Sequence, residues 1–77
     1  MWTETDCALE RRFEFVDFAT ALAFVNKVGE LAERMGHHPD ISILNYKYVV
    51  ISTTTHDEGL KVTRKDRELA KAIDTLL

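Results

Sequence analysis

The sequence predicts an α+β fold: a four-stranded antiparallel sheet in the order ββαββα, with helices packed on one face. Three observations predict it. Residues 9–15 alternate with period two. Residues 17–35, and again 63–77, place apolar side chains at three- and four-residue spacings. Between them, residues 41–54 are rich in β-branched and tyrosine side chains, interrupted at Asn45-Tyr46-Lys47. Period two marks a half-buried strand and period 3.6 a helix with one apolar face. Hairpins make the sheet antiparallel, and amphipathic helices must cover one of its faces.

Each element has its own signal. Leu9, Arg11, Phe13 and Phe15 point one way and Glu10, Arg12 and Glu14 the other, which makes 9–15 a strand. Trp2 to Thr5 is expected to pair with it as a short strand, with Asp6 near the turn. Trp2 either shields an interface or frays with the terminus. The helix over 17–35 carries Phe18, Ala21, Leu22, Val25, Val28, Ala32 and Met35 on one face. Asp17 is its N-cap, and Gly36 its left-handed C′ residue. The aromatics Phe13, Phe15, Phe18 and Phe24 are expected in the core. A hairpin follows: strand 40–44, turn 45–47, strand 48–55. The last helix spans 63–77 with Leu69, Ala70, Ile73, Leu76 and Leu77, and Thr63-Arg64-Lys65-Asp66 reads as a capping box.

With 77 residues, the chain is expected to form one domain, and a core this small is thin. The last helix carries more apolar surface than a thin sheet needs, so a homodimer or homotetramer is expected, held partly by Leu69, Ile73, Leu76 and Leu77. Forty-five per cent hydrophobic and 30% charged residues exclude long disorder. No apolar run approaches the roughly 20 residues of a membrane helix, so no membrane partner is expected. The polar start, Met1 to Asp6, does not read as a signal peptide, and the expected compartment is the cytoplasm. A net charge of −3 argues against direct nucleic-acid binding through phosphate neutralisation. The single cysteine, Cys7, has no disulfide partner.

The chemistry concentrates in three histidines, His37, His38 and His56. Two follow the first helix and one ends the last strand, so a single sheet edge can gather them. Imidazole changes charge near neutrality, and a pair of them can give and take a proton in one turnover. Pro39 stiffens the backbone after the pair. Glu33, four residues before His37, can orient an imidazole if the helix continues. Other readings stand beside this one. Histidines at strand and helix ends are often inert. Three histidines with Glu33 could ligate zinc, but adjacent His37 and His38 do not readily face one ion, and no HExxH spacing exists. Asp66 has a capping role, and Asp57 and Glu58 read equally well as solvated turn residues. No Gly-rich phosphate loop or GxSxG elbow is present.

These segments together resemble a known family. Phe13-x-Phe15-x-Asp17-Phe18, Glu33-x3-His37-His38-Pro39-Asp40, Tyr46-x9-His56, and Asp66-x2-Leu69-Ala70 are similar to the pterin-4a-carbinolamine dehydratases over about residues 9–77. The resemblance implies the same α+β fold, usually with an additional N-terminal helix for which this chain starts too late. It implies dehydration of 4a-hydroxytetrahydropterin to quinonoid dihydropterin without metal or organic cofactor. In that case His37 and His56 match the acid/base pair, and His38 matches the residue that holds and polarises substrate. Glu33 matches the supporting glutamate. Pro39, Thr55, His56, Asp57 and Glu58 would wall the pterin, and Asp66 matches the motif's aspartate. The implied partners are a pterin substrate, a second copy of the chain, and a functional link to an aromatic amino acid hydroxylase. Some animal relatives also serve as dimerisation cofactors of a homeodomain transcription factor, which leaves a non-catalytic binding module as the alternative. The sequence departs from the family pattern in two places. One more residue than usual separates Pro39 from Tyr46, and Asp57-Glu58-Gly59-Leu60-Lys61-Val62-Thr63 replaces a Gly-Gly-Leu-Thr-like turn.

Overall fold

The computed structural model describes residues 1–77. Strands β1 (Thr3–Glu4) and β2 (Leu9–Glu14) precede helix α1 (Phe18–Met35). Strands β3 (Asp40–Leu44) and β4 (Tyr48–Thr53), a 3-10 turn (His56–Glu58) and helix α2 (Arg64–Asp74) follow. The four strands form one antiparallel sheet in the order β1-β2-β4-β3, with β4 central beside β2. The predicted ββαββα order and fold class are therefore observed. No helix is long and apolar enough to cross a membrane.

The core lies between one face of the sheet and the two helices. Phe13 from β2, Val49 and Ile51 from β4, Ala21, Phe24 and Val28 from α1, and Leu69 and Ile73 from α2 bury together. Phe13 and Phe24 meet at 4.8 Å between ring centroids, and Phe15 stacks on Phe24 at 5.0 Å. On β2 the opposite face is polar, with Glu10, Arg12 and Glu14 outward. There the Arg12 guanidinium lies 4.1 Å from the Tyr48 ring centroid.

The predicted caps are in place. Asp17 accepts from the Thr20 amide at 2.8 Å. In α2, Thr63 Oγ1 accepts from the Lys65 amide at 3.3 Å, and Asp66 Oδ2 accepts from the Thr63 amide at 2.8 Å, completing the capping box. The β3–β4 turn carries Asn45 and Tyr46 at positive φ, the conformation a tight hairpin twist demands.

Four expectations are corrected. Phe18 and Leu22 are not core: they are 50% and 40% exposed, and Met35 is exposed too. The apolar stripe of α1 is wider than the sheet and α2 can cover, and burial follows Ala21, Phe24, Val28 and Ala32. Leu69 and Ile73 are fully buried within their own chain, so they are not free for contact between copies. Trp2 does not fray. Its Nε1 donates to Asp74 Oδ1 at 2.9 Å, and its ring meets Phe13 edge-on at 6.1 Å, closing one end of the core. Finally, β4 stops at Thr53 rather than 55. Thr55 leaves the ladder to bridge Lys61, folding the chain around the 3-10 turn.

Candidate active site

The end of α1 determines where the paired histidines go. Gly36 adopts φ 65°, ψ 30°, the left-handed conformation that costs a residue with a Cβ about 1–2 kcal/mol. The His37 amide reaches back to the Ala32 carbonyl at 3.2 Å and the Gly36 amide to Glu33 at 3.3 Å, a Schellman closure. The chain then runs on into β3, where successive side chains point to opposite sides. His37 turns inward, with its side chain 13% exposed, and His38 turns outward at 65%.

His37 Nε2 lies 2.6 Å from Asp66 Oδ1. Asp66 is fully buried and accepts four hydrogen bonds. Oδ1 takes His37 and Thr53 Oγ1 (2.7 Å), and Oδ2 takes Thr55 Oγ1 (2.8 Å) and the Thr63 amide. That fills the lone pairs of a carboxylate. Burial, the largest single influence, pushes its pKa up, but the bonds from His37, Thr63, Thr53 and Thr55 together outweigh it and lower the carboxyl to about 2. Asp66 is therefore an anion at neutral pH and accepts only. His37 must present N–H at Nε2, which leaves Nδ1 free for chemistry.

This corrects the expected pairing of Glu33 with His37. The helix ends at Gly36, so the one-turn geometry does not exist, and Glu33 Oε2 bonds His38 Nε2 instead. Both partners are largely exposed, so this pair orients the imidazole more than it stabilises the fold.

A cleft of about 180 Å³ opens beside these groups. It is lined by His37 and His38 from the end of α1, Thr54 and Thr55 after β4, His56 and Asp57 from the 3-10 turn, and Lys65 from α2. Two segments, the end of α1 and the stretch after β4, thus bring all three histidines to one concave surface, and α2 adds Lys65. Glu33 and Pro39 sit outside it, along a groove against α1, and Glu58 lines a neighbouring groove beside Arg64 and Glu68. No trio of His, Cys, Asp or Glu side chains is spaced to hold a metal ion.

Three contributors carry no site motif in the sequence: Lys65, Thr53 and Thr54, the last on the cleft wall. Lys65 was legible only as a helix residue, although its place in the first turn of α2, next to the capping carboxylate, points it at the same end of the sheet. Thr53 belongs to the threonine run 53–55, where period two puts Thr53 and Thr55 on one face toward Asp66.

Comparisons with known proteins agree with the fold. A family model described as pterin 4 alpha carbinolamine dehydratase matches residues 1–76. A protein of Koribacter versatilis, named provisionally as a pterin-4-alpha-carbinolamine dehydratase, is 44% identical over 75 residues, covering 97% of this chain and 78% of its own length. A solved structure described as a transcriptional coactivator/pterin dehydratase from Brucella melitensis superposes with a TM-score of 0.86 at 32% identity, covering 96% of this chain and 79% of that one. Another, described as a pterin dehydratase-like protein that is a RuBisCO assembly factor in the alpha-carboxysome, gives 0.75 at 27% identity, covering 99% and 86%. With the family model spanning nearly its whole length, the chain belongs to the pterin 4 alpha carbinolamine dehydratase family.

Proposed function

We propose that this protein is a hydro-lyase that removes water from 4a-hydroxytetrahydropterin, with His37 and His56 as the proton-transfer pair. The observation that carries the reading is the convergence of His37, held by a buried anion, and His56, from a different segment, on one small cleft. The elimination breaks the C4a–O bond and the N5–H bond and forms the C4a=N5 double bond. One imidazole gives a proton to the departing hydroxyl and the other takes the proton from N5, so water leaves and no net charge accumulates. His38, on the cleft and oriented by Glu33, holds and polarises the substrate. Thr55, Asp57 and the neighbouring backbone supply polar walls. Pro39 and Glu58 act from outside the cleft, by stiffening the chain and shaping the turn.

Both protons have an imidazole to carry them, so turnover needs no metal or organic cofactor. In a dehydration assay with purified protein, EDTA should leave the rate unchanged. Loss of activity that a divalent ion restores would contradict the mechanism.

The exposed flank of α1 relocates the self-association expected from the sequence. A homodimer or homotetramer would cover Phe18 and Leu22, each burying apolar side chain for about 1.5–3 kcal/mol when fully covered. Phe18→Asp with Leu22→Asp should yield smaller species in light scattering with the fold retained. A wild-type chain that stays monomeric at high micromolar concentration would exclude the assembly.

The same exposed side chains favour the second reading, a non-catalytic protein-binding module. The descriptions of the two solved relatives, a coactivator and an assembly factor, support it as well. Dehydration no faster than the spontaneous reaction, from a folded protein, would select it. A link to an aromatic amino acid hydroxylase belongs to the first reading, since such an enzyme generates the hydroxylated pterin.

A further inference from the structure

The His37 imidazole has one hydrogen-bonded partner, Asp66 Oδ1, and that oxygen is shared. Thr53 Oγ1 donates to it at 2.7 Å, against 2.6 Å for His37 Nε2. Thr53 is fully buried, does not line the cleft, and sits on the core face of the central strand opposite Leu9. It therefore touches no substrate, yet it is one side chain removed from the imidazole assigned to proton transfer. We propose that Thr53 is a positioning residue that governs how strongly Asp66 holds the protonated form of His37.

The physical argument starts from the directions of the bonds. Asp66 is ionised, so both threonine hydroxyls must donate to it. Thr55 donates to Oδ2 and lies 2.7 Å from Thr63 Oγ1, so the Thr63 hydroxyl donates to Thr55 in turn. This chain ties Oδ2 to the start of α2. Oδ1 is different: its two donors are Thr53 and His37 alone. Each donor draws carboxylate charge toward itself, so a hydroxyl on Oδ1 weakens the pull of that oxygen on an imidazolium. Remove the hydroxyl, and the charge on Oδ1 is left to His37.

The other groups around His37 do not duplicate this contact. From α2, Asp66 and Lys65 face the ring's surroundings; from the end of α1 comes His38, bonded to Glu33 outside the cleft; from the 3-10 turn come His56 and Asp57 across the cleft. β4 contributes only neutral hydroxyls. Lys65 is the one formal cation lining the cleft, and Asp66 is the one carboxylate bonded to the ring.

The test is a titration of the His37 ring by NMR in the full chain, with Thr53→Val, Thr53→Ser and Thr55→Val. In Thr53→Val the midpoint should rise relative to wild type, because the charge on Oδ1 is then left to His37 alone. Thr53→Ser should restore the wild-type midpoint. Thr55→Val, acting on the other oxygen, should move it less. A residue that served only to pack the strand would lower stability and leave the titration unmoved. Unmodified protein gives a second measurement should Thr53→Val not fold: the Thr53 methyl and hydroxyl resonances should titrate with the His37 midpoint. An unmoved His37 midpoint in folded Thr53→Val, an equal shift in Thr55→Val, or a Thr53 resonance indifferent to His37 protonation would overturn the proposal. The consequence for turnover rests on the dehydratase reading, and the titration does not. If that reading holds, the acid limb of the kcat profile should move with the His37 midpoint, while KM stays near the wild-type value.

Discussion

His37→Ala and His56→Ala should each lower kcat for pterin carbinolamine dehydration about 10²–10⁴-fold, the usual contribution of a positioned acid or base. The two positions differ in what else they lose. His56 is exposed on a 3-10 turn and makes no side-chain hydrogen bond, so its removal should leave the melting temperature unchanged. His37→Ala removes one of the four donors to Asp66 and should lower stability modestly. Circular dichroism and thermal melts separate that loss from the kinetic one. Near-wild-type rates in both single variants would remove the histidines from the chemistry.

The largest effect on stability is expected at Asp66. Its carboxylate joins the end of α1, strand β4 and the first turn of α2. Asp66→Ala would leave two hydroxyls, an amide and an imidazole N–H facing a void. The cost should be about 3–5 kcal/mol, since several buried donors lose their acceptor at about 1–3 kcal/mol each, against a total of about 5–15 kcal/mol for a natural domain. Asp66→Asn should do little better, because its NH₂ group must face donors whichever way the amide turns. Denaturant titration would check this, and a loss below about 1 kcal/mol would contradict the network.

The same carboxylate makes stability depend on acid. Its folded pKa of about 2 lies below the ordinary 3.8, so the stabilisation is complete above the ordinary value. It falls away as pH drops from about 4 toward 2, a loss of about 2 kcal/mol. Glu4, held down by its hydrogen bonds from Arg67, and Asp17, by the hydrogen bonds from Thr20, add to the same slope. The difference between wild type and Asp66→Asn isolates the share of Asp66, and that difference should shrink by about 2 kcal/mol as pH falls from about 4 toward 2.

The elements were legible because their signals are local. Alternation in 9–14, the caps Asp17 and Gly36, and the Thr63–Asp66 box each act within a few residues. The capping box is also why Asp66 was read too narrowly. A carboxylate has two oxygens, and one of them serves the helix while the other serves His37 from 29 positions away, which no local pattern reports. Glu33 went to the wrong histidine for a related reason. The one-turn rule assumes that the helix continues, whereas Gly36, itself identified as the stop, turns His37 inward and His38 toward Glu33. The exposure of Phe18 and Leu22 depends on how much of α1 the sheet and α2 can cover, a quantity set by packing rather than by period.

The most direct test of the central claim is a single-turnover measurement. Enzyme in excess is mixed with freshly generated 4a-hydroxytetrahydropterin, and loss of the substrate is followed against the spontaneous reaction. Wild type should accelerate the dehydration well beyond that background, and the folded His37→Ala/His56→Ala double variant should fall back to it. A double variant that still dehydrates the pterin at the wild-type rate, or a wild type that never exceeds the background, would contradict the assignment of these two imidazoles as the proton-transfer pair.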